Sequence, residues 1–293
     1  MIKTSVIGLG AMGAGMAGNL HRAGYLVSAW NRSAERGQKI AKQHGFFLDS
    51  SLSSAAQCAD LIITSVSADE DLLEVTMQLA KILPAGSVVL DTSTVSVGTA
   101  QRVAAIFEAH GIHFLDAPVS GGKEGAENGN MVMMVGGDEA VLEQILPALE
   151  IISKKVMYMG KTGSGQATKA VNQVMVAGVN QAVTEALAFA QHQGLDTGKV
   201  IETVGGGAAG NWFLDHRGKS MCAGTFEPGF RVALHHKDLK ICQQTLAEQD
   251  IQLPMVEMTL VHYERLMQDG YGDEDISALF RQKLPLFDSK QDS

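Results

Sequence analysis

The chain has 293 residues, 45% of them hydrophobic and 19% charged, with a net charge of −9 at neutral pH. That length suits two domains, at roughly 100–200 residues each, and leaves room for sizeable cores. The composition excludes a disordered chain, and an acidic balance without any basic run argues against nucleic acid as a partner.

In chain order, the first half alternates between short apolar or β-branched runs and stretches with helical spacing. The runs are Thr4–Ile7, Leu26–Trp30, Leu61–Val66, Ser87–Leu90 and Ile112–Leu115. Between them, Met12–Arg22, Ala34–His44, Asp71–Leu83 and Val97–His110 read as helices. Alternating strand and helix predicts parallel strands joined by right-handed crossovers, a doubly wound α/β sheet, which Met131–Val135 and Val156–Met159 are expected to complete. A breaker, Gly160-Lys-Thr-Gly-Ser-Gly165, follows. Gln166–Gln193 then has no proline and one internal glycine, Gly178, and predicts a single helix of about 28 residues. The remainder predicts helices at Val200–Val204, Trp212–Met221, Val232–Gln249, Pro254–Gln268 and Glu274–Arg281, with starts at Asp196 and at Leu253-Pro254, and a short polar tail after Phe287. The expected organisation is a dinucleotide-binding domain over residues 1–162 and an all-helical domain over residues 163–293. The second opens with a long interdomain helix, 163–193, and a ligand pocket is expected between the two.

The first strand runs into Gly8-Leu9-Gly10-Ala11-Met12-Gly13, a GxGxxG that follows a strand and opens a helix. Gly8 permits the tight turn, Gly10 lets the backbone approach a pyrophosphate, and Gly13 lets helix and strand pack closely. The helix N-terminus presents N–H groups and a positive dipole end to the phosphates. An acidic residue after the second strand would bind the ribose 2′-hydroxyl of NAD. Here the sequence is Asn31-Arg32-Ser33, with no carboxylate until Glu35. Arg32 suits a 2′-phosphate, and Asn31 and Ser33 can donate to it, so the expected cofactor is NADP, with NAD as the alternative.

Two further motifs carry chemistry. Asp116-Ala-Pro-Val-Ser120-Gly121-Gly122 follows a strand, and its glycine amides with the Ser120 hydroxyl form a turn suited to a carboxylate. Gly160-x-x-Gly163-x-Gly165-x-x-x-Lys169-x-x-Asn172 enters the long helix. Lys169 and Asn172 share one face, and a desolvated lysine there would fall in pKa toward the range where it can hand a proton to a carbonyl oxygen. Lys237 is a candidate either to neutralise cofactor charge or to contact the nicotinamide end, with Asp238 ordering it. The adjacent His235 and His236 diverge by ~100° on a helix and are not expected to share a metal. Cys58, Cys222 and Cys242 are widely spaced without a CxxC, which predicts reduced thiols. The start Met1-Ile2-Lys3 runs into a β-like segment, and no stretch reads as a signal peptide or a membrane-spanning helix, so the expected compartment is the cytoplasm.

At these residues the sequence resembles the β-hydroxyacid dehydrogenases, a family that includes 3-hydroxyisobutyrate dehydrogenase, tartronate semialdehyde reductase and glyoxylate/succinic semialdehyde reductase. The likeness spans nearly the whole chain. It rests on Gly8–Gly13 with Met16 and Asn19-Leu20, on Asp116–Gly122, on Gly163–Asn172 and on Lys237-Asp238-Leu239. The resemblance implies a Rossmann domain followed by a helical domain, a homodimer or homotetramer, and a small carboxylate-bearing substrate. It implies Lys169 as general acid/base with Asn172 as helper, and Ser120, Gly121 and Gly122 on the substrate carboxylate. It further implies Thr94 and Lys237 as cofactor contacts, and Phe230 and Asp238 lining the substrate site. The sequence departs at Ser65-Val66-Ser67, where many relatives carry Met-Leu-Pro in a loop touching the cofactor. Gly205-Gly-Gly207 and Asn211-Trp212 are this chain's own, and Trp212 either walls the substrate pocket or fills the core. Two other readings share some of these features: a decarboxylating dehydrogenase of the 6-phosphogluconate type, and an NADP-binding sensor or scaffold without turnover.

Overall fold

The computed structural model describes residues 2–247 and 250–288. The chain divides into two compact units, and the division falls inside one long helix, after Lys169.

The first unit is a sheet flanked by helices. In order it contains β1 (Thr4–Ile7), α1 (Ala11–Arg22), β2 (Leu26–Trp30), α2 (Ala34–His44), α3 (Leu52–Gln57), β3 (Leu61–Thr64), α4 (Asp69–Leu79), β4 (Val88–Asp91) and α5 (Val97–Glu108). There follow β5 (His113–Asp116), β6 (Val119–Ser120), α6 (Gly122–Glu127), β7 (Met131–Gly136), α7 (Glu139–Leu149), β8 (Ser153–Gly160) and the start of α8 (Ser164–His192). The strand order is β2-β1-β3-β4-β5-β7-β6, with β8 also on β7.

Strands β1 to β5 are parallel, as the alternating pattern predicts. The sheet then departs from the expected all-parallel arrangement, because β7 runs antiparallel to β5 and β6. Short β6 and six-residue α6 fold the chain straight back, and an antiparallel neighbour needs no crossover helix. Both were unmarked in the sequence pattern, as were α3 and α7.

Side chains alternate across each strand, so Val6, Ile63 and Leu90 join one buried cluster while Ile7, Ile62 and Val89 join the other. Met16, Ala17 and Leu20 of α1 cover the first face, and Val103 and Phe107 of α5 cover the second. Each fully buried aliphatic side chain contributes ~1.5–3 kcal/mol of transfer free energy.

The second unit takes the rest of α8, then α9 (Thr197–Gly205), α10 (Trp212–Cys222), α11 (Val232–Ala247), α12 (Pro254–Gln268), a 3-10 turn (Ile276–Leu279), α13 (Phe280–Lys283) and α14 (Pro285–Asp288). Asp196 caps α9 through Lys199 N, and Pro254 opens α12 with Leu253 before it. The helix expected over Glu274–Arg281 is instead a 3-10 turn capped by Asp275, running into α13. Positions 248 and 249 of the helix expected to reach Gln249, and the tail from 289, lie outside the described residues. Leu187, Phe213, Leu239, Leu260, Leu266 and Phe280 build this unit's own core.

Candidate active site

The glycine fingerprint forms the β1–α1 turn. Gly8 has φ +96°, and a Cβ there would stand 2.2 Å from the Ser65 carbonyl oxygen, so only glycine fits. A Cβ at Gly13 would stand 2.0 Å from the Gly8 carbonyl oxygen, whereas at Gly10 it would meet nothing within 4 Å. The three glycines therefore make the turn, the tight packing and an open approach respectively. Helix α1 has no side-chain cap and no acid in its first turn. By contrast, Ser33, Ser51, Ser96 and Asp138 cap α2, α3, α5 and α7. Unsatisfied N–H groups beside open space fit a dinucleotide pyrophosphate. Ala11 is exposed and Met12 half-buried at this mouth, while the Leu9 side chain is fully buried, so only its backbone belongs to the turn.

After β2, Asn31 Oδ1 accepts from Leu9 N at 2.8 Å and its Nδ2 donates to the Ser33 carbonyl at 2.8 Å. Asn31 thus shapes the turn instead of reaching outward. The Ser33 hydroxyl accepts from Arg36 N as the α2 cap. Arg32 is exposed and forms an ion pair with Asp71 of α4.

The loops after β3 and β4 are tied to buried carboxylates. Asp91 Oδ1 accepts from Thr64 Oγ1 and Ser93 Oγ, both at 2.7 Å, and Ser93 Oγ accepts from Val66 N at 2.8 Å. This fixes the Ser65–Ser67 loop, with Val66 half-buried and Ser67 exposed. Gln166, almost fully buried, clamps both neighbours of Thr94: its Nε2 donates to the Ser93 carbonyl at 2.8 Å and its Oε1 accepts from Val95 N at 3.2 Å. Asp116 at the end of β5 accepts from Gly163 N at 2.7 Å and Gln166 N at 2.9 Å, capping the start of α8. A Cβ at Gly165 would stand 2.4 Å from the Met134 carbonyl oxygen, so that start packs directly on β7. Burial raises the Asp116 carboxyl above its ordinary range and pushes Asp91 up to about 6.

This anchoring sets Lys169. Its side chain is buried, at 7% exposure, and Nζ donates to the Val119 carbonyl at 2.9 Å. Val119 directly precedes Ser120, which ends β6, then Gly121 and Gly122, which lead into α6. Gly121 and Gly122 adopt φ of +139° and +62°, a conformation glycine tolerates. Helix α6 lies against α1: a Cβ at Gly15 would stand 2.6 Å from the Ala126 backbone, and Asn19 Nδ2 donates to the Ala126 carbonyl at 2.7 Å. The fingerprint helix, the Ser-Gly-Gly turn and the lysine are thus built against one another within the first unit.

In the second unit, Asn172 Nδ2 donates to Gln173 Oε1 at 2.8 Å, and Gln173 Nε2 donates to Asp238 Oδ2 at 2.6 Å. Lys237 Nζ lies 3.1 Å from Asp238 Oδ1. His235 is fully buried, with Nε2 on the Gln173 carbonyl and Nδ1 on the Tyr263 hydroxyl, while His236 faces Glu264. A carbonyl only accepts, so Nε2 carries a proton. Phe230 packs on the His235 ring, and its N–H is held by Asp275 at 3.0 Å. Trp212 is 57% exposed and stacks on His216, which removes the core-filling alternative.

Residues 3–160 match the family described as the NAD binding domain of 6-phosphogluconate dehydrogenase. Residues 163–282 match the NAD-binding domain of NADP-dependent 3-hydroxyisobutyrate dehydrogenase. The 2-hydroxy-3-oxopropionate reductase of Escherichia coli K12 is 34% identical over 281 residues, covering 95% of this chain and 96% of that protein. The chain belongs to the β-hydroxyacid dehydrogenase family. The 2-(hydroxymethyl)glutarate dehydrogenase of Eubacterium barkeri is 34% identical, covering 96% of this β-hydroxyacid dehydrogenase and 94% of its own length. The structure of Mycobacterium tuberculosis 3-hydroxyisobutyrate dehydrogenase with L-serine superposes at a TM-score of 0.87, with 31% identity over 96% of this chain and 99% of that one. As a member, the protein is an NAD(P)-dependent oxidoreductase acting on hydroxy groups of small molecules.

Sequence reasoning missed several residues that organise this β-hydroxyacid dehydrogenase. Asp91 and Asp116 were visible as carboxylates ending apolar strands, and Gln166 as the residue one turn before Lys169. Gln173 and Asp71 left no local signal. Among the described residues, no helix is long and apolar enough to cross a membrane.

Proposed function

We propose that this β-hydroxyacid dehydrogenase uses NADPH to reduce a small aldehyde bearing a carboxylate, or runs the reverse oxidation, with Lys169 as general acid/base. The observation that carries the reading is the buried Lys169 amine on the carbonyl that precedes Ser120-Gly121-Gly122. A carboxylate held by those amides and the Ser120 hydroxyl would stand beside the proton donor, and burial keeps water from competing for the proton. When bound, the nicotinamide supplies the hydride. Lys169 Nζ gives its proton to the carbonyl oxygen, and Asn172, one turn further along α8, steadies that oxygen. Gly8, Leu9, Gly10, Ala11, Met12 and Gly13 hold the pyrophosphate, Arg32 reads the 2′-phosphate, Asn31 and Ser33 shape its turn, and Val66, Ser67 and Thr94 line the cofactor loops. Lys237 on the cofactor, and Phe230, Asp238 and Trp212 on the substrate, enter through the family resemblance. A cytoplasmic homodimer or homotetramer belongs to the same reading. Exposed Val171, Met175 and Phe189 along α8 support self-association, which light scattering tests.

Lys169→Ala is expected to keep its NADPH dissociation constant while turnover falls by ~10²–10⁴-fold. Near-normal turnover would defeat the assignment. A panel of glyoxylate, succinic semialdehyde, tartronate semialdehyde and methylmalonate semialdehyde, run with NADPH and NADH, identifies the substrate. Release of carbon dioxide from a 3-hydroxy acid would favour the decarboxylating reading, to which the match over residues 3–160 also lends itself. Tight NADPH binding without oxidation by any aldehyde would favour the sensor.

A further inference from the structure

Of the triplet after β2, only one side chain is available to read charge. Asn31 is engaged with Leu9 N and the Ser33 carbonyl, and the Ser33 hydroxyl caps α2. Arg32 remains, and its guanidinium is paired with Asp71, the third residue of α4. The two partners are not equally placed: the Arg32 side chain is 72% exposed and the Asp71 side chain 22%. The carboxylate is the seated member and the guanidinium the member open to an incoming group. Asp69, in the same turn of α4, is engaged elsewhere, accepting from Ser96 N at 3.1 Å and Ser96 Oγ at 2.7 Å.

We infer that Asp71 sets how strongly this chain prefers NADPH over NADH, by competing with the ribose 2′-phosphate for Arg32. The inference rests on the reading of Arg32 as the 2′-phosphate contact. Arg32 and Asp71 together carry no net charge, so a 2′-phosphate must share or displace a carboxylate and meets that carboxylate's repulsion. A ribose 2′-hydroxyl carries no charge and meets neither cost. Asp71 therefore weakens NADPH binding selectively. It narrows the gap between the cofactors in a chain that lacks an acidic residue at the end of β2. An exposed ion pair contributes little to folding, and Asp69 and Glu70 remain in the first turn of α4, so removing the Asp71 charge leaves the fold in place.

The test is fluorescence titration of the full chain with NADPH and with NADH at one fixed, low ionic strength, since salt screens the interaction. The variants are Asp71→Asn, Asp71→Ser, Arg32→Ala and Arg32→Ala with Asp71→Asn. Asp71→Asn and Asp71→Ser are expected to tighten NADPH about three- to tenfold and to leave NADH within about twofold. In the Arg32→Ala background the competition is gone and only the direct repulsion is left, so the gain from Asp71→Asn should be smaller than with Arg32 present. An unchanged or weakened NADPH dissociation constant in both Asp71 variants, or equal tightening of NADH, overturns the inference. If Arg32→Ala lowers NADPH affinity selectively while the Asp71 variants show no gain, only the role of Asp71 falls. If Arg32→Ala leaves the NADPH to NADH ratio unchanged, the reading of Arg32 falls, and this inference with it.

Discussion

Asp91 illustrates how burial, not residue type, fixes a side chain's behaviour. It is fully buried, Oδ1 takes the hydroxyls of Thr64 and Ser93, and its carboxyl is pushed from 3.8 up to about 6, chiefly by desolvation. A carboxyl raised on folding binds its proton more tightly in the native state. The resulting penalty is absent below about pH 3.8, grows as pH rises, and is complete above about pH 6, on the order of 3 kcal/mol. Asp91→Asn, which keeps an acceptor for both hydroxyls, should therefore gain stability relative to wild type between pH 4 and 7. Urea melts across that range measure the difference, and a pH-independent offset would contradict it. Lys169 makes the same point for function. The residue type and its place in the motif were legible, but the Val119 carbonyl that receives its N–H lies 50 positions away.

At the scale of elements, the mouth of β1 and α1 separates packing from binding. Gly13→Ala forces a Cβ against the Gly8 carbonyl and should lower the melting temperature. Gly10→Ala projects into open space and should melt near wild type while binding NADPH more weakly, because the added methyl occupies the approach of the phosphates. Thermal melts paired with NADPH titrations distinguish the two, and equal melting temperatures would remove the packing role of Gly13. Helix α8 depends on Asp116 in a comparable way. Asp116→Ala leaves the N–H groups of Gly163 and Gln166 without their acceptor and should cost ~1–3 kcal/mol in chemical denaturation. Helix α12 (Pro254–Gln268) and strands β1 and β2 fall where the sequence predicts, because period and punctuation agree there. The six-residue helices α3 and α6 complete fewer than two turns, and two-residue β6 makes a single alternation, so no period registers there.

The whole molecule consists of two units with separate hydrophobic cores. The proposed cofactor contacts of the fingerprint, Arg32 and Thr94 all lie in the first. Saturating NADPH, at about 100 times its dissociation constant, should stabilise the folded chain by ~2.7 kcal/mol, and calorimetry should show the shift. Because each unit has its own core, their transitions need not coincide, and a cofactor effect confined to one transition would identify the unit that binds.

By itself the sequence determined the alternation of strand and helix, the fingerprint turn, the long helix and the family, since these depend on local period, on glycine at fixed offsets and on motif order. Only the tertiary structure decided that β7 runs antiparallel to β5, that Gln166 holds both sides of Thr94, and that Arg32 faces Asp71. Those facts depend on which distant backbone and side-chain groups share a hydrogen bond or a charge. Many folds of one local pattern would satisfy the chain's spacing, and only the three-dimensional path selects the partners.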